Sequence, residues 1–297
     1  MITEQQRQER QLGIGGSDMP IILGLSSYKT PYQLYLEKIG EAESTYEETE
    51  LQEWGHRIEP MIRIKFAEKH GFKLRAPIED AKYAPLCDLI TYDLEAQVHP
   101  FNDFLRGNLD GFIPELNAVH EIKCSNQFMA NEWGEDGSDV IPMTYLVQVA
   151  HYCAVTDADC AYITVLIGGH DYREFKYTRN FELESKIIDA AKEFWHCVQT
   201  KTPPKPINQV DLKLMYPKHD PEKTVTIEPE VAEQLTTLAD TRFKIKALSE
   251  VEEKYKFNIM QFMKDAECLT DESGRPIVSW KANKRGTRTF LMKGMTQ

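Results

Sequence analysis

The chain has no long apolar run: no stretch of its 297 residues approaches the roughly 20 apolar residues that a membrane-spanning helix needs. Its opening, MITEQQRQER, lacks the apolar segment of a secretory signal. Paired cysteines are also missing. The six, at 87, 124, 153, 160, 197 and 268, include no C-x-x-C, which argues against a zinc or iron–sulfur site and fits reduced thiols. These absences lead us to expect a cytoplasmic protein with no membrane partner. An excess of positive charge is missing too, since the net charge is −12. That total hides an asymmetry. Residues 273–297 hold Arg275, Lys281, Lys284, Arg285, Arg288 and Lys293 and no acid, a tail of +6, so the preceding 272 residues carry −18.

What is present centres on residues 108–124, NLDGFIPELNAVHEIKC. Strand alternation puts Glu121 and Lys123 on one face and turns Ile122 to the other. If the Asp110 segment forms the preceding strand of a hairpin, its carboxylate arrives beside Glu121. Two carboxylates make a hard oxygen site suited to Mg²⁺ or Mn²⁺, and the adjacent Lys123 ammonium can hold an attacking water. A solvated hairpin with an ion pair is the alternative.

Upstream, Gly13-Ile14-Gly15-Gly16-Ser17-Asp18 precedes the apolar MPIILGL and reads as a tight turn capping a short helix. Its free N–H groups and the Ser17 hydroxyl suit a phosphate, with Arg10 supplying a cation. Lys29 stands at the mouth of the next amphipathic helix. Trp54-Gly55-His56-Arg57-Ile58-Glu59-Pro60 opens a helix to about His70, where Glu59 lies beside the apolar row Ile58, Ile62, Phe66. Strands follow near residues 72–76 and 88–93. Residues 142–152 read as a buried helix carrying a polar Gln148 that needs a hydrogen-bond partner. AYITVLI at 161–167 has the β-branched run of a central strand, and residues 172–177 its hairpin mate. Residues 182–199 form an amphipathic helix. Thr202-Pro203-Pro204-Lys205-Pro206 is the clearest linker. Beyond it a helical stretch from Pro229 to about 266 suggests a helical hairpin or a coiled arm. The expected organisation is a core over 1–201, a linker over 202–228, and an arm with a basic tail over 229–297. Two strand-like pieces of that tail surround Lys284-Arg285-Gly286. The cations Lys281, Lys284, Arg285 and Arg288 are candidates for DNA phosphate contact, whereas Trp280 and Phe290 are expected to pack.

In this order the pieces resemble the PD-(D/E)xK, restriction-endonuclease-like nuclease core, and more specifically the YqaJ-type viral recombinases related to lambda-type alkaline exonuclease. Five blocks between Glu9 and Gln199 carry the likeness: R-x6-S at Arg10–Ser17, W-G-x-x-x-E at Trp54–Glu59, L-D-G at Leu109–Gly111, E-I-K at Glu121–Lys123 and Q-V-x-x-Y at Gln148–Tyr152. The proline of the "PD" is absent, because Asn108-Leu109 precede Asp110. The resemblance implies an α/β fold, a mixed central sheet flanked by helices, followed here by the helical arm and basic β-hairpin tail. It implies that Asp110, Glu121 and the Ile122 carbonyl hold the metal, two Mg²⁺ ions with Mn²⁺ as substitute. Lys123 then lies beside the attacking water, and Glu59 and Gln148 complete the site. Arg10 and Ser17 match the pocket for the 5′-phosphate of a DNA end, with Lys29 a looser candidate.

The implied activity is 5′→3′ exonuclease digestion of double-stranded DNA ends, leaving 3′ single strands for an annealing partner in phage-type recombination. A homotrimeric ring, by analogy, lets an acidic chain hold DNA in a positive channel. Two other readings remain open: an endonuclease or nickase on the same core, and a non-catalytic DNA-binding assembly protein working through its tail.

Overall fold

Alternating and β-branched segments between residues 74 and 178 become one sheet because helices on both of its faces supply apolar cover. The computed structural model describes residues 11–42, 49–82, 87–284 and 286–292. The chain divides into two units, Met1–Lys218 and His219–Gln297.

In the first unit the strands are β1 (Leu74–Pro77), β2 (Ile90–Leu94), β3 (Gln97–His99), β4 (Asn102–Gly107), β5 (Gly111–Ile113), β6 (Ala118–Ser125), β7 (Cys160–Ile167) and β8 (Asp171–Thr178). Six of them form a mixed sheet in the order β2-β1-β5-β6-β7-β8. The β1–β2 and β6–β7 pairs are parallel, while β1–β5, β5–β6 and β7–β8 are antiparallel. The β-branched run of residues 161–167 is interior, as its composition predicts. β3 and β4 form a separate hairpin.

The helices of this unit are α1 (Met19–Ile22), α2 (Pro31–Lys38), α3 (Glu50–His70), α4 (Met143–Thr156), α5 (Phe181–Thr200) and α6 (Gln209–Met215). α3 has Glu50 and Glu53 in its first turn and Lys69 and His70 in its last, which suits the helix dipole. It buries Ile64, Phe66 and Ala67 with Leu74, Ala76, Ile90, Ile113 and Ala118, the core on one side of the sheet. On the other side α4 is buried along nearly its whole length, and α5 adds Ile187, Ala191 and Phe194. α6 falls in the stretch expected as linker. Its Asp211 is buried and accepts from Thr30 Oγ1 at 2.5 Å and from the Ile207 amide at 2.9 Å.

In the second unit α7 (Pro229–Met263) is one unbroken helix of 35 residues, so the helical-hairpin alternative does not hold. β9 (Cys268–Thr270), β10 (Pro276–Ala282) and β11 (Arg288–Met292) make a three-stranded antiparallel sheet ordered β11-β10-β9. Two of these strands follow the sequence pattern. β9 is additional, too short for its alternation to register.

Candidate active site

The hairpin that brings the carboxylates together is β5–β6, in register Gly111↔His120. Continuing that register by one residue sets Asp110 opposite Glu121. Asp110 Oδ2 accepts the Ile122 amide at 2.7 Å, which fixes the carboxyl against β6. Glu121 is 1% exposed, and its Oε1 accepts from Lys123 Nζ at 2.5 Å and from Gln148 Nε2 at 2.7 Å. Gln148 thus has the partner its burial demands, and the same nitrogen lies 3.1 Å from Tyr152 Oη. The other Glu121 oxygen, Oε2, is buried without a hydrogen-bond partner among the described residues.

Electrostatics follow from this crowding. Burial, then the charges of Glu121 and Glu59, push the Asp110 carboxyl well above the usual carboxylate range. Burial also raises Glu121; the Lys123 ammonium opposes that and Glu59 adds to it. The Asp110 and Glu121 carboxyls are within hydrogen-bonding reach of each other. Burial works against a charged Lys123, but Glu121 and Asp110 outweigh it and hold its pKa above the ordinary lysine value. The ammonium also lies 5.3 Å from the centre of the Tyr145 ring. Glu59, on α3, faces the same cluster, with its side chain 23% exposed and its Oε2 3.6 Å from His56 Nδ1.

The glycine turn adjoins this centre. Gly13 passes so close to β4 that a Cβ there would lie 2.2 Å from the Phe104 carbonyl oxygen, so only glycine fits. A Cβ on Gly16 would lie 2.5 Å from the Tyr152 ring. The backbone before Ser17 therefore rests on the tyrosine that contacts Gln148, and Ser17 itself is exposed. Lys38 fastens the turn, donating to the Gly13 carbonyl and to Asp18 Oδ2, each at 2.7 Å, and Asp18 Oδ2 also accepts the Gly15 amide at 3.0 Å. Sequence reasoning missed Lys38, whose place in an ordinary amphipathic helix carries no signal. The Tyr152 contact was signalled only by the Gly-Gly pair that makes room for it.

Other candidates stand as follows. Lys29 pairs with Glu37 at 2.7 Å. Arg10 and Arg285 lie outside the described residues. In the tail, Lys281 pairs with Glu267, and Arg288 donates to the carbonyls of Lys264 (2.7 Å), Ala266 and Trp280 (2.9 Å) with its guanidinium 3.6 Å over the Trp280 ring. Arg288 thereby closes the end of α7, and Trp280 packs as expected. Lys284 is exposed. Around Cys124, an open hollow is lined by Trp54, Gly55, Ile58, Asn126 and Gly168 among others. The Cys124 thiol there is pushed up to about 11 by burial and then by Glu59, so it is a poor nucleophile.

Among the described residues no three His, Cys, Asp or Glu side chains gather closely enough to hold a metal by themselves. The carboxyls brought together at this point are those of Asp110 and Glu121, with Glu59 close enough to raise the pKa of both. A buried, unsatisfied carboxylate oxygen beside a second crowded carboxyl is what a hard divalent cation satisfies, so the residues fit such an ion.

Residues 5–159 match the YqaJ-like viral recombinase domain. The chain belongs to that family. It is 34% identical over 190 residues to the uncharacterized protein YqaJ of Bacillus subtilis (strain 168), a match covering 63% of this chain and 54% of that relative. The chain thus spans about half the length of the curated relative it matches. Among solved structures, the alkaline exonuclease LHK-Exo of Laribacter hongkongensis superposes with a TM-score of 0.52 at 14% identity, covering 67% of this chain and 94% of the exonuclease. The dAMP complex of LHK-Exo gives 0.51 at 14% identity with the same coverage. The likeness establishes a shared fold, and the expected mixed sheet flanked by helices is present.

Proposed function

We propose that the YqaJ-like chain is a divalent-metal-dependent deoxyribonuclease, a 5′→3′ exonuclease acting on double-stranded DNA ends. The observation carrying this reading is Glu121, which is buried with the donors Lys123 and Gln148 on one oxygen and no partner among the described residues on the other, opposite the crowded Asp110 carboxyl.

Asp110, Glu121 and the Ile122 carbonyl would hold the ion, Mg²⁺ or Mn²⁺, with Glu59 toward a second one. When bound, such ions stabilise charge on the phosphoryl oxygens and on the leaving 3′-oxygen. Lys123 stays protonated against its carboxylates and orients the attacking water. Gln148 holds Glu121 in place through its amide. Glu59, partly exposed at the edge of the cluster, either completes the shell of that second ion or accepts the water's proton. The Gly15–Ser17 turn, clamped by Lys38 and resting on Tyr152, holds the Gly15 amide on Asp18 and offers the Ser17 N–H and hydroxyl to the 5′-phosphate, with Arg10 as cation. Digestion of one strand leaves 3′ single strand for an annealing partner. A ring of copies, a trimer by analogy, would confine positive potential to its channel, with Lys284 and Arg285 as further phosphate contacts. LHK-Exo, named as an alkaline exonuclease and solved with dAMP, is consistent with this reading.

The test is end-labelled linear duplex with Mg²⁺, carrying a 5′-phosphate or a 5′-hydroxyl, beside covalently closed circular DNA. Mononucleotide release from 5′-phosphorylated linear ends with the circle intact is expected. Internal cutting of the circle would make the enzyme an endonuclease, and no hydrolysis with either cation would end the nuclease reading.

A further inference from the structure

The second unit presents a surface that the catalytic reading does not use. α7 is 35 residues long, yet Met263 is its one buried residue among those described. Large apolar side chains line it in the open: Val231, Leu235, Leu238, Ile245, Leu248, Tyr255 and Phe262 are each between 45% and 77% exposed. With Ile259 they fall on steps of three and four once two polar positions, Arg242 and Glu252, are included. The stripe then reads 231, 235, 238, 242, 245, 248, 252, 255, 259, 262, the spacing of a helix seam that packs on another helix.

This stripe is palindromic. Laid antiparallel against itself, Val231 meets Phe262, Leu235 meets Ile259, Leu238 meets Tyr255 and Ile245 meets Leu248. The two polar members, of opposite charge, face each other as Arg242 and Glu252, twice by symmetry. A parallel pairing would instead stack Arg242 on Arg242 and Glu252 on Glu252. Outside the seam the same alignment sets Lys244 near Glu250 and Asp240 near Lys254. Within one chain Glu252 lies 2.7 Å from Lys256, whose ammonium also has Glu253 at 3.1 Å, so Glu252 can change partner without stranding the lysine.

We propose that α7 is a self-association surface whose occupant is the α7 of a second copy of this chain, packed antiparallel about a two-fold axis. An isologous contact of this kind needs one self-complementary patch, which the palindrome provides. The Arg242–Glu252 pairs fix direction and register more than they add affinity.

The experiment is the mass of the full-length protein in solution, by light scattering after size exclusion, for wild type, Arg242→Glu, Glu252→Arg and the double swap. Each single change puts like charges opposite one another and should halve the assembly mass, whatever other contacts the copies make. The double swap restores the opposite pairing and should restore the wild-type mass. Circular dichroism checks that all four keep their helix. Masses unaffected by the single changes, or a double swap that stays at half mass, would overturn the proposal.

Discussion

The two faces of β6 are equally buried and are used in opposite ways. On one face His120 is fully buried, stacks on Phe66 at 4.2 Å and bonds Thr164 Oγ1 at 2.9 Å. Its pKa is lowered to about 3, by burial and then by the Arg63 guanidinium, so the ring is neutral, and its Nδ1 is buried with no hydrogen-bond partner among the described residues. On the other face Glu121 is just as dry but keeps company with an ammonium and a second carboxyl, one oxygen unsatisfied. Both faces leave a buried polar atom without a partner, but the ring on one face is neutral, whereas on the other an acceptor stands among crowded carboxyls. That is a cost that a bound cation relieves and that a functional site accepts within an otherwise consistent core.

The largest way to sharpen this contrast is to neutralise the charged face. Asp110→Asn or Glu121→Gln should lower cleavage of linear duplex with Mg²⁺ by on the order of 10³-fold or more, from the loss of several kcal/mol of barrier stabilisation. DNA binding in Ca²⁺ should survive, as gel shift would report. On the His120 face, His120→Ala should instead cost about 2–3 kcal/mol of stability by urea unfolding, through the lost stacking volume against Phe66 and the lost hydrogen bond to Thr164. Mn²⁺ binding of the folded variant should stay near wild type.

The next effect is in pH. The folded Asp110 carboxyl titrates well above its ordinary value of 3.8, so folding takes up a proton there. Stability of the metal-free protein that is present below pH 3.8 is therefore lost as pH rises through the elevated pKa, by about 1.4 kcal/mol per pH unit. Asp110→Asn should lack that component, leaving a smaller fall in urea midpoint toward pH 8. The smallest effect belongs to the glycine turn. Ser17→Ala should slow digestion of 5′-phosphorylated ends by about tenfold, the low end of the value of one hydrogen bond to a charged group, and leave 5′-hydroxyl ends unchanged.

The carboxylate hairpin was legible because its signal is local: alternation places Glu121 with Lys123, and one short turn returns Asp110. Gln148 was legible as a polar residue in an apolar helix. The Lys38 clamp on Gly13 and Asp18 joins residues 25 and 20 positions apart with no period to betray it. The docking of Asp211 on Thr30 spans 181 positions, so a stretch read as linker carries a buried helix residue. In the tail, positive charge alone suggested phosphate contact, but Arg288 meets the carbonyls at the end of α7, because an exposed helix end needs donors. Net charge reports how many cations a segment has and nothing of which ones the backbone engages.

The most direct test of the central claim, that Asp110 and Glu121 share a divalent cation, is calorimetric titration of the metal-free full chain with Mn²⁺ in buffers of different ionisation enthalpy. Wild type should bind Mn²⁺ and release protons on binding, since the cation displaces them from crowded carboxyls. Asp110→Asn and Glu121→Gln should each weaken binding by roughly 100-fold or more. Affinity and proton release unchanged in both variants would contradict the account.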